Sequence, residues 1–233
     1  MTAGTLLDVK DLSVRFVMPR RSPFGGRPML HAVRDVSFSL RPGRTLGLVG
    51  ESGSGKTTTA MAAIRLLEAH SGAVMFDGVD LLKLDAEAMR RHRRHLQVIF
   101  QDPYSSLNPR ERVGAIVREP LDLMMPGTSR AERTERVGEL FGLVGLRPDQ
   151  MALFPHQFSG GQRQRVSIAR ALATNPRLVV CDEPVSALDV AIQAQILNLL
   201  RRLQDEYGLS YLFISHDLGV VQFICDDIAV MYL

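Results

Sequence analysis

The chain has 233 residues, 45% of them hydrophobic, and two cysteines, which is enough apolar sequence to bury a core without disulfides or structural zinc. Its formal charge of +3 arises from 28 Lys and Arg scattered among 25 Asp and Glu, so no polyanion-binding stripe stands out and no nucleic-acid partner is expected. No basic region followed by an apolar stretch opens the N-terminus, and no window approaches the roughly 18 apolar residues of a membrane span, which leaves a chain expected to be soluble by itself.

In chain order, Leu12–Phe16 and Val36–Leu40 alternate apolar and polar residues as half-buried strands do, and the Pro- and Gly-bearing stretch from Pro19 to Pro28 between them reads as a loop. An antiparallel β layer is expected there. Thr45–Val49 is an apolar run ending at Gly50, followed by a helical pattern to Leu67, the strand-loop-helix of a parallel α/β core. The basic run Arg90–His95 reads as a solvated helix end, and Gln97–Phe100 as a further strand.

From Pro103 to about Val166 the pattern is helical: Ser129 and Glu132 form a capping box, and Val137, Leu140, Phe141 and Val144 share one face. Leu178–Cys181 and Tyr211–Ile214 are buried strands, and Ile192, Ile196, Leu199, Leu200 and Leu203 mark an amphipathic helix between them. Cys181 and Cys225 lie in apolar surroundings without CxxC or His-spaced partners, so both are expected as buried free thiols in a reducing compartment.

Gly50-Glu51-Ser52-Gly53-Ser54-Gly55-Lys56-Thr57, with Thr58 behind it, matches the spacing GxxxxGK[ST] between a predicted strand and a predicted helix. Glycines let successive backbone N–H groups converge on phosphate oxygens at a helix N-terminus, where the helix dipole favours negative charge. Lys56 is then expected to reach the β- and γ-phosphates and Thr57 to ligate magnesium. Asp182, closing a buried strand, is a second magnesium group, and Glu183 beside it is placed to polarise a water. Gln101 and His216 also follow apolar strands; by themselves they read as ordinary turn residues, with His216 an alternative donor to a γ-phosphate. Ser159-Gly160-Gly161-Gln162 reads, in isolation, as a lysine-free glycine turn capping a helix from Gln162 to Ala173.

The order of these motifs, together with Asp189 in Ser186-Ala187-Leu188-Asp189, resembles the nucleotide-binding subunit of ATP-binding cassette (ABC) transporters over nearly the whole chain. The resemblance implies a P-loop NTPase (RecA-like) α/β core with an N-terminal antiparallel β layer, about 1–102 and 166–233, and an inserted α-helical subdomain, about 103–165. It implies ATP and Mg2+ as ligands, Glu183 as general base, His216 as γ-phosphate switch, and Gln101 as a magnesium and water contact that also faces a membrane partner. Ser159–Gln162 is then the signature that completes a site in trans, Asp189 a dimer-interface residue, and Phe16 the nearest match to the adenine-stacking aromatic, with His31 an alternative contact.

Gln101–Arg110, Phe154–Phe158, Val185–Val190 and Gly208–Tyr211 are similar to the dipeptide and oligopeptide importer branch, which also contains nickel and glutathione importers. That likeness implies a head-to-tail dimer of ATPases, two transmembrane permease subunits, an extracytoplasmic binding protein acting indirectly, and a peripheral place on the cytoplasmic face of the membrane; a soluble, non-transport ABC ATPase is the alternative. The branch usually continues past the predicted strand Ile228–Leu233, whereas this sequence stops there, so either a core fragment or a lost natural tail is expected.

Overall fold

A computed structural model describes residues 4–18 and 28–232. Two sheets divide the strands by character. β1 (Leu7–Val17) and β2 (Met29–Leu40) join β4 (Ser71–Phe76) and β5 (Val79–Asp80) in an antiparallel sheet of order β2-β1-β4-β5. Its buried stripe, Leu7, Val9, Leu12 and Val14, slips register between Val9 and Leu12, where Asp11 takes a left-handed φ of 49° and forms a bulge. The β1–β2 ladder runs on to Val17 opposite Met29, and the Met18 N–H still donates to the Pro28 carbonyl. Phe16 therefore stands inside a ladder, opposite Leu30, rather than at the end of a strand. Of the expected loop Pro19–Pro28, residues 19–27 lie outside the described residues.

The second sheet is parallel and holds β3 (Thr45–Gly50), β6 (Leu96–Ile99), β7 (Leu178–Asp182), β8 (Ser210–Ile214) and β9 (Asp227–Met231) in the order β6-β7-β8-β3-β9. Every residue of β7 and β8 is buried, because helices or the other sheet cover both faces. Alternation then sends their side chains into two cores. Leu178, Val180, Leu212 and Ile214 pack with β1 and the helix α1 (Lys56–Ala63). Val179, Cys181, Tyr211 and Phe213 pack with α3 (Val113–Met124), α4 (Arg130–Leu143), α5 (Gly160–Leu172), α6 (Val190–Tyr207) and α7 (Leu218–Ile224).

The helical segment between β6 and β7 thus has no core of its own: Ile116, Leu140 and Phe141 belong to one apolar cluster with Val179 and Phe213. α5 also runs unbroken across residues 165 and 166. The helix after β3 stops at Ala63, short of the expected Leu67, because Arg65 turns left-handed at φ 56°. The free carbonyls at that end are taken by Arg93 of α2 (Ala86–Arg93), whose guanidinium donates to the Ile64 oxygen at 2.8 Å and the Arg65 oxygen at 2.7 Å. One member of the basic run is therefore a helix cap rather than a solvated charge. Among the described residues no helix is long and apolar enough to cross a membrane.

Candidate active site

β3 delivers the chain to Gly50, where a Cβ would run into the Met231 carbonyl oxygen on neighbouring β9. The loop then turns through Gly53 and Gly55, the latter at φ 89° with its Cα so close to β2 that a Cβ would stand 2.5 Å from the Ala32 oxygen. Only glycine fits there, which fixes the N-terminus of α1 against the antiparallel sheet. Lys56 is 6% exposed, and its Nζ donates to the Gly50 oxygen at 2.9 Å and to the Glu51 oxygen at 2.7 Å. Those two bonds hold the ammonium over the loop and leave its third N–H for an anion. Ser54 Oγ is buried in the same loop without a hydrogen-bond partner.

One residue on, Thr57 Oγ1 donates to Asp182 Oδ1 at 2.8 Å. Burial pushes the Asp182 carboxyl above the usual carboxylate range, and the charge of Glu183 adds to that, while the Thr57 bond and Lys56 oppose it. Thr57 and Asp182, already hydrogen-bonded to each other, offer only oxygen donors, and Gln101 in the same cleft carries an amide oxygen; donors of this kind fit a hard cation such as magnesium.

Glu183 adopts a left-handed φ of 45°, uncommon for a residue with a side chain. Gln101 Nε2 donates to Glu183 Oε2 at 3.1 Å, and His216 Nδ1 lies 3.1 Å from Glu183 Oε1. Three strand ends, those of β6, β7 and β8, so meet on one carboxylate.

These groups face a cleft of about 1210 Å³ lined by Ser52–Thr58, Gln101, Glu183 and His216. Phe16, His31 and Arg34 close its other side, with Met231 and Tyr232 from the end of β9. Partial burial, then the charges of Arg15, Arg34 and His70, hold the His31 imidazole below its ordinary value. Arg34, Met231 and Tyr232 escaped the sequence reading, since no local pattern tells that β2 and β9 flank the loop after β3.

The signature residues lie elsewhere. Ser159 caps α5 by accepting from the Gln162 N–H at 3.4 Å, and Gln162 Oε1 accepts from the Ser159 N–H at 3.0 Å. None of Ser159, Gly160, Gly161 and Gln162 lines the cleft. Asp189 caps α6, accepting from the Ile192 N–H at 3.0 Å.

The profile of the ABC transporter family matches residues 33–186, a stretch that includes the phosphate loop, Gln101, the signature and Asp182–Glu183. The chain belongs to the ABC transporter family. It is 50% identical over 239 residues to the oligopeptide transport ATP-binding protein AppF of Bacillus subtilis, covering 100% of this chain and 72% of that protein. It is 51% identical over 230 residues to the oligopeptide transport ATP-binding protein OppF of Haemophilus influenzae, covering 98% and 69%. Among solved structures, the dimeric post-hydrolysis state of the ATP-binding cassette MJ0796 bound to ADP and Pi superposes with a TM-score of 0.84 at 30% identity, over 97% of this chain and 94% of that one. The ABC cassette fold expected from the motifs is the fold observed: a P-loop α/β core, an antiparallel layer and a helical insertion.

Proposed function

We propose that this chain is the ATP-hydrolysing subunit of an importer that takes up di- or oligopeptides, working as a head-to-tail ATPase dimer on the cytoplasmic face of the membrane with two permease subunits. The observation that carries the catalytic half of this reading is the carboxylate of Glu183, held by Gln101 and His216 beside the Thr57–Asp182 pair. Kinship with the two oligopeptide transport proteins, at 50% and 51% identity, carries the cargo.

In this reading the backbone N–H groups of Ser52–Thr58 and the Lys56 ammonium bind the triphosphate, and Phe16 and His31 flank the base. Thr57, Asp182 and Gln101 would hold Mg2+, which when bound neutralises charge on the phosphate oxygens. Glu183 accepts a proton from a water whose oxygen forms a bond to the γ-phosphorus; the bond from that phosphorus to the bridging oxygen breaks, leaving ADP and phosphate. His216 donates to the departing γ-phosphate. Ser159–Gln162 of one subunit contact the γ-phosphate in the other, and Asp189 lies at the seam. The Gln101–Arg110 region, leading into the helical insertion of about 103–165, carries the motion to the permeases, and an extracytoplasmic binding protein presents the peptide.

The test is uptake of labelled di- and oligopeptides in a deletion strain. Wild-type protein is expected to restore uptake and Lys56→Ala to leave it lost. Unimpaired peptide uptake in the deletion strain, with nickel or glutathione uptake lost instead, would reassign the cargo within the branch.

A further inference from the structure

The two glycines of Ser159-Gly160-Gly161-Gln162 differ in what surrounds them. A Cβ at Gly160 would meet Leu188 Cδ2 at 3.5 Å, an ordinary contact, whereas a Cβ at Gly161 would stand 2.5 Å from Ile192 Cγ2. That methyl sits on a β-branched residue in the first turn of α6, where χ1 freedom is small, so it cannot swing aside as the tip of a long side chain can. The same Ile192 offers its backbone N–H to Asp189 Oδ1 at 3.0 Å. One residue thus touches the turn that opens α5 and closes the cap that opens α6.

We infer that Ile192 is a positioning residue that fixes the signature turn relative to Asp189, and that Gly161 is required for that seat as well as for any approach to phosphate. This rests on the trans reading of the signature given above. Two helix N-termini that must meet one partner surface together need a fixed spacing. The Gly161–Ile192 contact sets it with the first turns of α5 and α6 in van der Waals contact, which a methyl at 161 would force apart.

The experiment uses the full-length protein with its natural partner subunit and follows melting temperature and ATP turnover together. Gly161→Ala is expected to lower the melting temperature and to reduce turnover roughly tenfold or more. Adding Ile192→Ala, which deletes the obstructing methyl, should restore both to within roughly threefold of Ile192→Ala alone in turnover, a non-additivity expected of touching residues. Ile192→Val retains a γ methyl on Cβ and should restore neither, while Ile192→Leu moves the branch off Cβ at constant volume and should restore both if Ile192→Ala by itself proves too unstable to measure. Gly160→Ala should leave the melting temperature unchanged.

Additive losses in the Gly161→Ala, Ile192→Ala pair would overturn the inference, as would recovery of melting temperature without turnover, which would make Ile192 a packing residue only. A Gly161→Ala protein that melts lower yet turns over ATP at the wild-type rate would instead refute the trans reading of the signature.

Discussion

Glu183→Gln separates chemistry from scaffolding. The substitution keeps the shape of the side chain and removes its capacity to take a proton. A positioned general base contributes on the order of 10²–10⁴ in rate, which corresponds to about 3–5 kcal/mol of activation free energy. The structural cost is smaller. Glu183 accepts from Gln101 at 3.1 Å and faces His216 Nδ1 at 3.1 Å, so one amide N–H₂ replaces one acceptor and a single bond is lost, worth about 1 kcal/mol. The side chain of His216 is 63% exposed, so water takes up the slack. For a domain of this size that loss moves the melting temperature by about 2–4 °C. The left-handed φ of 45° costs glutamine as much as glutamate and cancels. Phosphate release should therefore fall at least a hundredfold, while calorimetric ATP affinity stays within a few fold and melting shifts only a few degrees. A variant that hydrolyses ATP at the wild-type rate would refute the assignment of Glu183 as base.

Asp182 gives a pH prediction. Burial raises its carboxyl above the ordinary carboxylate value, so between those two values the folded state binds more protons than the unfolded one and stability falls as pH rises. Above the window the penalty is fully present; Asp182→Asn should accordingly melt higher than wild type at pH 7 without nucleotide or magnesium, the gap closing as pH falls through the ordinary carboxylate range, and an equal or lower melting point at pH 7 would contradict it. Arg93→Ala removes two charge-assisted bonds to the end of α1 and should cost about 1.5–3 kcal/mol in a urea titration, whereas exposed Arg90→Ala should cost under about 0.5; equal effects would put Arg93 back among solvated charges. Burial pushes the Cys225 thiol up to about 12 and that of Cys181 higher still, so brief iodoacetamide treatment at pH 8 should label neither in the folded protein and both in urea, read by mass spectrometry.

The phosphate loop was readable because its chemistry is local: eight consecutive residues carry the glycines, the lysine and the hydroxyl. The strand at Leu178–Cys181 declared itself by an unbroken apolar run, the mark of burial on both faces. By contrast β4, β5 and α2 left no clear pattern. β4 has an exposed end, β5 spans two residues, and α2 buries only Met89. Arg93 looked like a surface charge because its partners are the Ile64 and Arg65 carbonyls, 29 and 28 residues away, and backbone oxygens leave no trace in composition. Arg34 and Tyr232 were illegible for a related reason: their place in the cleft depends on which strands flank β3.

That dependence also explains why one subunit holds half of the proposed chemistry. In a parallel sheet all carboxyl ends fall on one edge, so with the order β6-β7-β8-β3-β9 the residues at the strand ends converge: Gln101, Glu183, His216, the phosphate loop and Met231–Tyr232 on the cleft, with Asp182 joined to it through Thr57. The signature follows a different rule. It opens α5, and its Ser159 and Gln162 satisfy each other in a reciprocal cap, so no unmet bond draws it toward Lys56. The remaining N–H groups of that helix end are open to an anion, but nothing among the described residues supplies one. In the proposed dimer a second nucleotide-loaded subunit would, and its γ-phosphate, held by a lysine already committed to the Gly50 and Glu51 carbonyls, would be a charge with room for further donors. On the proposed reading, the lysine-free turn would meet that need without setting a second cation beside the first.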